Sequence, residues 1–285
     1  MDMDGTLLHP DNKILPETKE VLLQLQQMGK KLVLASGRSY TKLLDYAKEL
    51  EMDIYGGYLV EVNGTAVYEV KSGKRHILAQ MPIEYIHEIF EYFMQYPVEI
   101  IGNLDDGMYD YIPDWMMEEK KLYRKEHRMS EDIPWSAGAF DFVYDNRKGY
   151  PRLFYIKNPK EIQEPVNKIS VAYHPDIILK VTQSAKEYFQ NRFWVGLTSD
   201  RWLEIMMPGV TKASGLAFIT KLTGIPMSSM IAFGDGENDI EMLQNVGLGI
   251  AMDNAFESVK KAADCITQSN IENGIAAALI KHFDL

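Results

Sequence analysis

Two carboxylates stand two residues apart at the start of the chain, in the run Asp2-Met3-Asp4-Gly5-Thr6-Leu7-Leu8. In extended backbone, residues i and i+2 point to the same side, so both acids would face one site. Like charges that close repel unless a cation or a proton intervenes, so the pair points to a divalent metal or a raised pKa. Gly5 and Thr6 then let the chain turn away. A helix cap or a solvated terminus would explain Asp-x-Asp alone, but not the longer string.

A second acidic group lies far downstream, in Phe233-Gly234-Asp235-Gly236-Glu237-Asn238-Asp239 after an apolar run. Strand, glycine turn and acids together place carboxylates at the C-terminal end of a parallel sheet, where ligands of α/β proteins bind. Hard oxygen ligands on a loop suit magnesium. The plain alternative is a turn that only caps the next helix. Two further residues could handle an anion. Ser36, followed by Gly37, sits at a strand-to-helix junction where a hydroxyl and backbone N–H groups could cradle a phosphate, or could serve only as an N-cap. Lys212 opens a helical pattern against the dipole preference, which an anion held nearby would explain; a solvated surface lysine is the alternative.

The surrounding pattern supplies elements to position these groups. Leu15-Pro16-Glu17-Thr18 opens a helix with Val21, Leu22, Leu25 and Met28 on one face, closed by Gly29. Lys31–Ala35 reads as a buried parallel strand, Tyr40–Leu50 as a helix and Tyr58–Val62 as a strand turned by Asn63-Gly64. From Pro82 to Phe193 the chain is richer in aromatic and charged residues. That stretch carries a helix near Glu84–Tyr96 and candidate strands at Phe140–Tyr144, Arg152–Ile156 and Lys168–Tyr173. Asp105 to Glu131, dense in charge, reads as a solvated helix-and-loop surface. The α/β alternation resumes at Trp202, with a strand at Leu203–Met206, a helix at Lys212–Leu222, a strand at Met230–Phe233, a short helix at Asp239–Asn245 and a strand at Leu248–Met252. An interrupted alternation implies an α/β core with a parallel sheet and an inserted second domain: core 1–81, insert 82–193, core 194–285.

Bulk properties narrow the function classes. A length of 285 residues fits about two domains. A net charge of −11 argues against a nucleic-acid partner and requires a local positive site for any anionic substrate. No apolar run approaches the ~18 residues of a membrane span, which argues against a membrane partner. Cys265 is the only cysteine, so there is no internal disulfide and no Cys-cluster zinc site, and a reducing cytoplasm fits best.

These four segments, in this order, resemble the haloacid dehalogenase superfamily of phosphotransferases. The segments are Asp2-Met3-Asp4-Gly5-Thr6, Ser36-Gly37-Arg38, Lys212 and Gly234-Asp235-Gly236-Glu237-Asn238-Asp239. The long insert, with Asn63-Gly64 before it, is similar to the type IIB cap of Cof-type sugar phosphatases. The resemblance implies a Rossmann-like parallel-sheet core with a smaller α/β cap that closes over the substrate. It implies Asp2 as nucleophile forming an aspartyl-phosphate, and Asp4 as general acid and then general base. It implies Mg2+ held by Asp2, the Asp4 carbonyl and Asp235, with Asp239 orienting metal-bound water. Ser36, Gly37, Lys212 and Asn238 would hold the phosphoryl group of a small phosphorylated metabolite such as a sugar phosphate.

The chain departs from that pattern at Ala213, where many relatives place glycine soon after the lysine, and in the apolar strand that relatives carry ahead of the nucleophile. That second difference leads to the expectation that native residues precede Met1. A phosphomutase or phosphotransferase of the phosphomannomutase kind, and a non-catalytic phosphometabolite binder, remain the rival readings.

Overall fold

The computed structural model describes residues 1–130, 134–135 and 151–285. The strand expected at Phe140–Tyr144 lies outside the described residues. The chain divides into two compact units, Met1–Leu78 with Val210–Leu285, and Ala79–Gly209.

The first unit begins with α1 (Pro16–Gln27), β1 (Val33–Ala35), α2 (Tyr40–Glu49), α3 (Met52–Tyr55), β2 (Tyr58–Glu61), β3 (Ala66–Glu69) and β4 (Lys74–Ile77). Proline at the first turn of α1 costs no hydrogen bond, and Gly29 at φ 83° ends the segment. Val21, Leu22 and Leu25 are buried as expected, whereas Met28 falls beyond the last helical residue and is 52% exposed. β1 pairs in parallel with β2, and β3 and β4 extend this sheet antiparallel.

The second half, which follows the insert, has its own parallel sheet. Numbered after the insert's elements, its members are α7 (Lys212–Thr223), β11 (Ile231–Gly234), α8 (Ile240–Asn245), β12 (Leu248–Ala251), α9 (Glu257–Ala262), β13 (Cys265–Ile266) and α10 (Gly274–Phe283), with β11, β12 and β13 parallel in that order. Successive strand residues point to opposite faces. Leu34, Leu59, Phe233 and Ile250 pack in one cluster with Leu22, Leu25 and Leu279, from α1 and α10. Their neighbours Ala35, Val60, Ala232 and Ala251 pack in another with Leu216, Ile219, Met242 and Leu243, from α7 and α8. Helices thus cover both faces of the strands, as a parallel sheet requires.

Met1 and Asp2 join the two sheets. The Met1 amino group donates to Val33 O at 2.9 Å and Met1 O accepts from Ala35 N at 2.8 Å. Asp2 N donates to Phe233 O at 3.0 Å. These residues are hydrogen-bonded to β1 on one side and β11 on the other. Burial lowers the Met1 amino group to about 6. A cavity of about 580 Å³, lined largely by apolar side chains including Met1, Leu25, Val33 and Phe233, adjoins them.

The inserted unit comprises α4 (Ile83–Phe93), β5 (Glu99–Asn103), β6 (Gly107–Tyr111), α5 (Asp114–Glu126), β7 (Arg152–Tyr155), β8 (Lys168–Ala172), α6 (Pro175–Tyr188), β9 (Trp194–Ser199) and β10 (Trp202–Met206). Its sheet runs β7-β6-β5-β8-β10-β9, antiparallel except for β6 with β7. Ile86, Phe90 and Phe93 of α4 and Ile178, Val181 and Ala185 of α6 pack on Ile100, Ile169, Leu203 and Ile205.

Two readings change here. β10, expected to reopen the core, pairs with β8 and β9, and the compact unit runs to Gly209 instead of ending at Phe193. A short apolar run announces a strand but not its partners. Asp105–Glu131 is also more than solvated surface. β6 is interior to its sheet, and Lys120 of α5 is buried, donating to Glu99 at 2.5 Å. Among the described residues, no helix is long and apolar enough to cross a membrane.

Candidate active site

The ends of β1 and β11 deliver the groups singled out in the sequence to one place. Asp2, Asp235 and Asp239 each offer a carboxylate oxygen, and these oxygens lie within 4.8 Å of one another. Lys212, the first residue of α7, reaches into the group, with Nζ 2.6 Å from Asp2 Oδ1 and 2.7 Å from Asp239 Oδ1. The lysine is 1% exposed, Asp239 0% and Asp2 8%. α7 begins there because Thr211 caps it, its hydroxyl accepting from Ser214 N while the Ser214 hydroxyl accepts from Thr211 N.

The loop after β11 is fixed by its own acid. Asp239 Oδ2 accepts from Asp235 N at 3.1 Å and Gly236 N at 3.0 Å, which orients Asp235. Thr6 Oγ1 donates to Asp235 Oδ1 at 2.6 Å and ties the first loop to the last. Gly5, at φ 77°, admits Asp235 against the backbone, because a Cβ there would stand 2.3 Å from Asp235 Oδ2.

Three carboxylates against one ammonium leave two negative charges that a divalent cation would neutralise. Burial, opposed by Lys212 and reinforced by Asp239 and Asp235, raises the Asp2 carboxyl well above its ordinary range. Burial likewise lifts Asp235 to about 6, with the Thr6 hydroxyl opposing and Asp239 adding to the shift. Burial disfavours the Lys212 charge, yet Asp2 and Asp239 outweigh it and hold the ammonium above its ordinary value. An all-oxygen donor set with surplus negative charge fits a hard cation such as Mg2+.

Ser36 lies at the end of β1, buried, with N donating to Val60 O and Oγ accepting from Arg38 N at 3.1 Å. Gly37 beside it is half-buried. Asn238, on the turn with Asp235 and Asp239, donates from Nδ2 to Asn63 Oδ1 at 3.0 Å. Asn63 N in turn donates to Ser36 O at 2.9 Å. The Asn63-Gly64 turn therefore does more than reverse the chain. Val62, Asn63 and Gly64 have φ of 46°, 55° and 106°, and for a β-branched valine that conformation costs on the order of 1–3 kcal/mol. Gly64 sits against Thr211 O, which a Cβ would approach to 2.1 Å. One strained turn thus touches the Ser36 loop, the Lys212 cap and Asn238.

Asp4 lies outside that three-carboxylate group, although its charge still acts on Asp235. The i, i+2 reading placed it beside Asp2, but the backbone turns through residues 3–7 and the Asp4 side chain is 59% exposed. Its carboxylate meets the Arg38 guanidinium, with Nε 2.8 Å from Oδ2 and Nη2 bonded to Oδ1. Asn254 and Asn270 hold the same loop, donating to Gly5 O at 2.8 Å and Leu8 O at 2.7 Å. The sequence pattern gives no role to Arg38, Asn254 or Asn270, and to Asn63 only that of a turn. Arg38 and Asn63 stood inside quoted motifs, whereas nothing local marks Asn254 or Asn270.

Comparisons with known proteins identify the family. Residues 1–279 match the haloacid dehalogenase-like hydrolase family. The chain is 27% identical over 288 residues to the 5-amino-6-(5-phospho-D-ribitylamino)uracil phosphatase YcsE of Bacillus subtilis, covering 100% of this chain and 94% of that one. It superposes with TM-score 0.77 on a haloacid dehalogenase-like hydrolase from Bacteroides thetaiotaomicron, at 26% identity, covering 99% and 97% of the two chains. The fold also matches a HAD subclass IIB sugar phosphatase at TM-score 0.74 and 22% identity, covering 99% and 97%.

Proposed function

The chain belongs to the haloacid dehalogenase-like hydrolase family and is a hydrolase of phosphoric monoesters, and from that premise we propose a Mg2+-dependent phosphatase of small phosphorylated metabolites that works through an aspartyl-phosphate on Asp2. The observation that carries the reading is the placing of Lys212 between Asp2 and Asp239, with Asp235 beside them.

Asp2 attacks phosphorus in line, forming the Asp2–phosphorus bond as the bond to the leaving oxygen breaks. Asp4 gives its proton to that oxygen, then takes a proton from the water that splits the aspartyl-phosphate and restores Asp2. Ser36, the Gly37 N–H, the Asn238 amide and Lys212 hold the phosphoryl oxygens, and the fixed ammonium stabilises charge in the transition state. Mg2+ would be held by Asp2, the Asp4 carbonyl and Asp235, with Asp239 at its edge, and when bound it supplies charge neutralisation between anionic Asp2 and an anionic phosphate.

The −11 net charge favours a small substrate drawn by a local positive site over an anionic polymer. The Bacillus subtilis relative is named for a phosphorylated ribityl compound and the fold relative for sugar phosphates, which supports sugar-like phosphomonoesters within that class. A screen over sugar phosphates, nucleotides and cofactor phosphates, with Mg2+ or excess chelator, tests the proposal. The expected result is free phosphate from small phosphomonoesters only with Mg2+. Isomerised sugar phosphate without phosphate release would replace hydrolysis by a mutase, and full activity in chelator would overturn the metal's part.

A further inference from the structure

Arg38 is buried at 8% exposure, yet it belongs to neither the acidic cluster nor the phosphate cradle. Its guanidinium forks onto Asp4, Nε to Oδ2 at 2.8 Å and Nη2 to Oδ1. Nη2 also lies 3.3 Å from Asn12 Oδ1, and the Asn12 carbonyl accepts from Tyr46 Oη at 3.1 Å. The Arg38 backbone is fixed as well, since its N donates to Ser36 Oγ at 3.1 Å and its O accepts from Val62 N at 3.0 Å. The arginine is thus anchored at both its backbone and its side chain. The carboxylate it grips belongs to a side chain that is 59% exposed.

We propose that Arg38 is the positioning residue of the general acid, a buried fork that locks the exposed Asp4 carboxyl in the orientation needed to meet the leaving oxygen. The inference rests on Asp4 being the general acid. A bidentate arginine–carboxylate pair fixes direction as well as distance, which a lysine at the same place cannot do. An exposed aspartate without such a partner would sample several rotamers, and proton transfer needs hydrogen-bond reach in the transition state.

The test compares two substrates of unequal need for a proton. p-Nitrophenolate leaves without one, whereas the alkoxide of glycerol phosphate does not. The measurement is kcat/KM, which reports only steps up to departure of the leaving group. For Arg38→Met, kcat/KM for glycerol phosphate is expected to fall on the order of 100-fold, and that for p-nitrophenyl phosphate only a few-fold. Arg38→Lys keeps the charge but not the fork, and is expected to fall between; it carries the test if the methionine variant does not fold. Equal losses on both substrates, or no loss on either, would overturn the proposal.

Asp4→Asn, assayed alongside, separates the two levels of the argument. If Asp4→Asn shows the leaving-group dependence and the Arg38 variants do not, the positioning role alone fails. If Asp4→Asn shows none, the assignment of Asp4 as acid fails with it.

Discussion

Both units bury charge, and they do so in different ways. In the insert, Lys120 meets Glu99 at 2.5 Å with both side chains almost fully buried, and Lys168 meets Glu204. In the core, Lys212 is shared between Asp2 and Asp239, and Asp235 adds a third carboxylate. Glu99 and Glu204 each have a lysine against them, which is how a fold contains a charge at small net gain. The core's acids outnumber their lysine, an arrangement that folding alone does not reward. Surplus like charge held by Asp239's backbone contacts and the Thr6 hydroxyl marks a site built for a ligand of opposite sign.

Substitutions can break or sharpen this contrast. The largest effect is expected from Asp2→Asn, which should cut turnover by more than about 10³-fold while leaving the melting curve cooperative, as removal of a nucleophile does. Retained turnover would sink the nucleophile assignment. Lys212→Met should lower kcat by about 10²–10³-fold. It should also destabilise the protein more in chelator than in Mg2+, because only the cation then offsets the three carboxylates. Calorimetric melts in both conditions would reveal an equal loss if that reasoning is wrong.

The insert should respond differently. Lys120→Met strands Glu99 and should cost roughly 3–5 kcal/mol, whereas Lys120→Met with Glu99→Leu should recover most of it. Neither change should alter the Mg2+ requirement; denaturant unfolding and a metal titration would check both statements.

A pH series gives a smaller, signed effect. Asp235 is raised from 3.8 to about 6, so the folded metal-free protein binds the extra proton and loses stability as pH rises through that window. Asp2, also raised, acts in the same direction. A cation needs both carboxylates deprotonated, so the gain in melting temperature on adding Mg2+ should grow from pH 5 to pH 8, on the order of the proton release that accompanies metal binding. A gain independent of pH would count against the cluster as the metal site. The smallest effect is expected from Asn254→Ala, which removes a hydrogen bond to Gly5 O and should cost about 1 kcal/mol.

Much of this was legible in the sequence, and the limits have physical causes. Asp235, Asp239 and Lys212 were readable because each stands at a strand end or helix start that local pattern marks, and Asp2 because it opens the Asp-x-Asp-Gly-Thr string. Asp4's pairing with Arg38 was not, because alternation holds only while the chain stays extended and the backbone already turns at Met3. Nor was the membership of β10, since Leu203–Met206 announces a strand while its partners β8 and β9 are chosen by pairing. Arg38, Asn63 and Asn254 act through contacts 34, 175 and 249 residues away in sequence, which no local periodicity encodes.

The central claim is that the core's surplus acids serve a covalent phosphoryl transfer to Asp2. Rapid acid quench during turnover with Mg2+, followed by peptide mass analysis, tests it most directly. The expected result is one added phosphoryl group on the peptide containing Asp2, absent from Asp2→Asn. A label on another residue, or none while phosphate is being released, would contradict it.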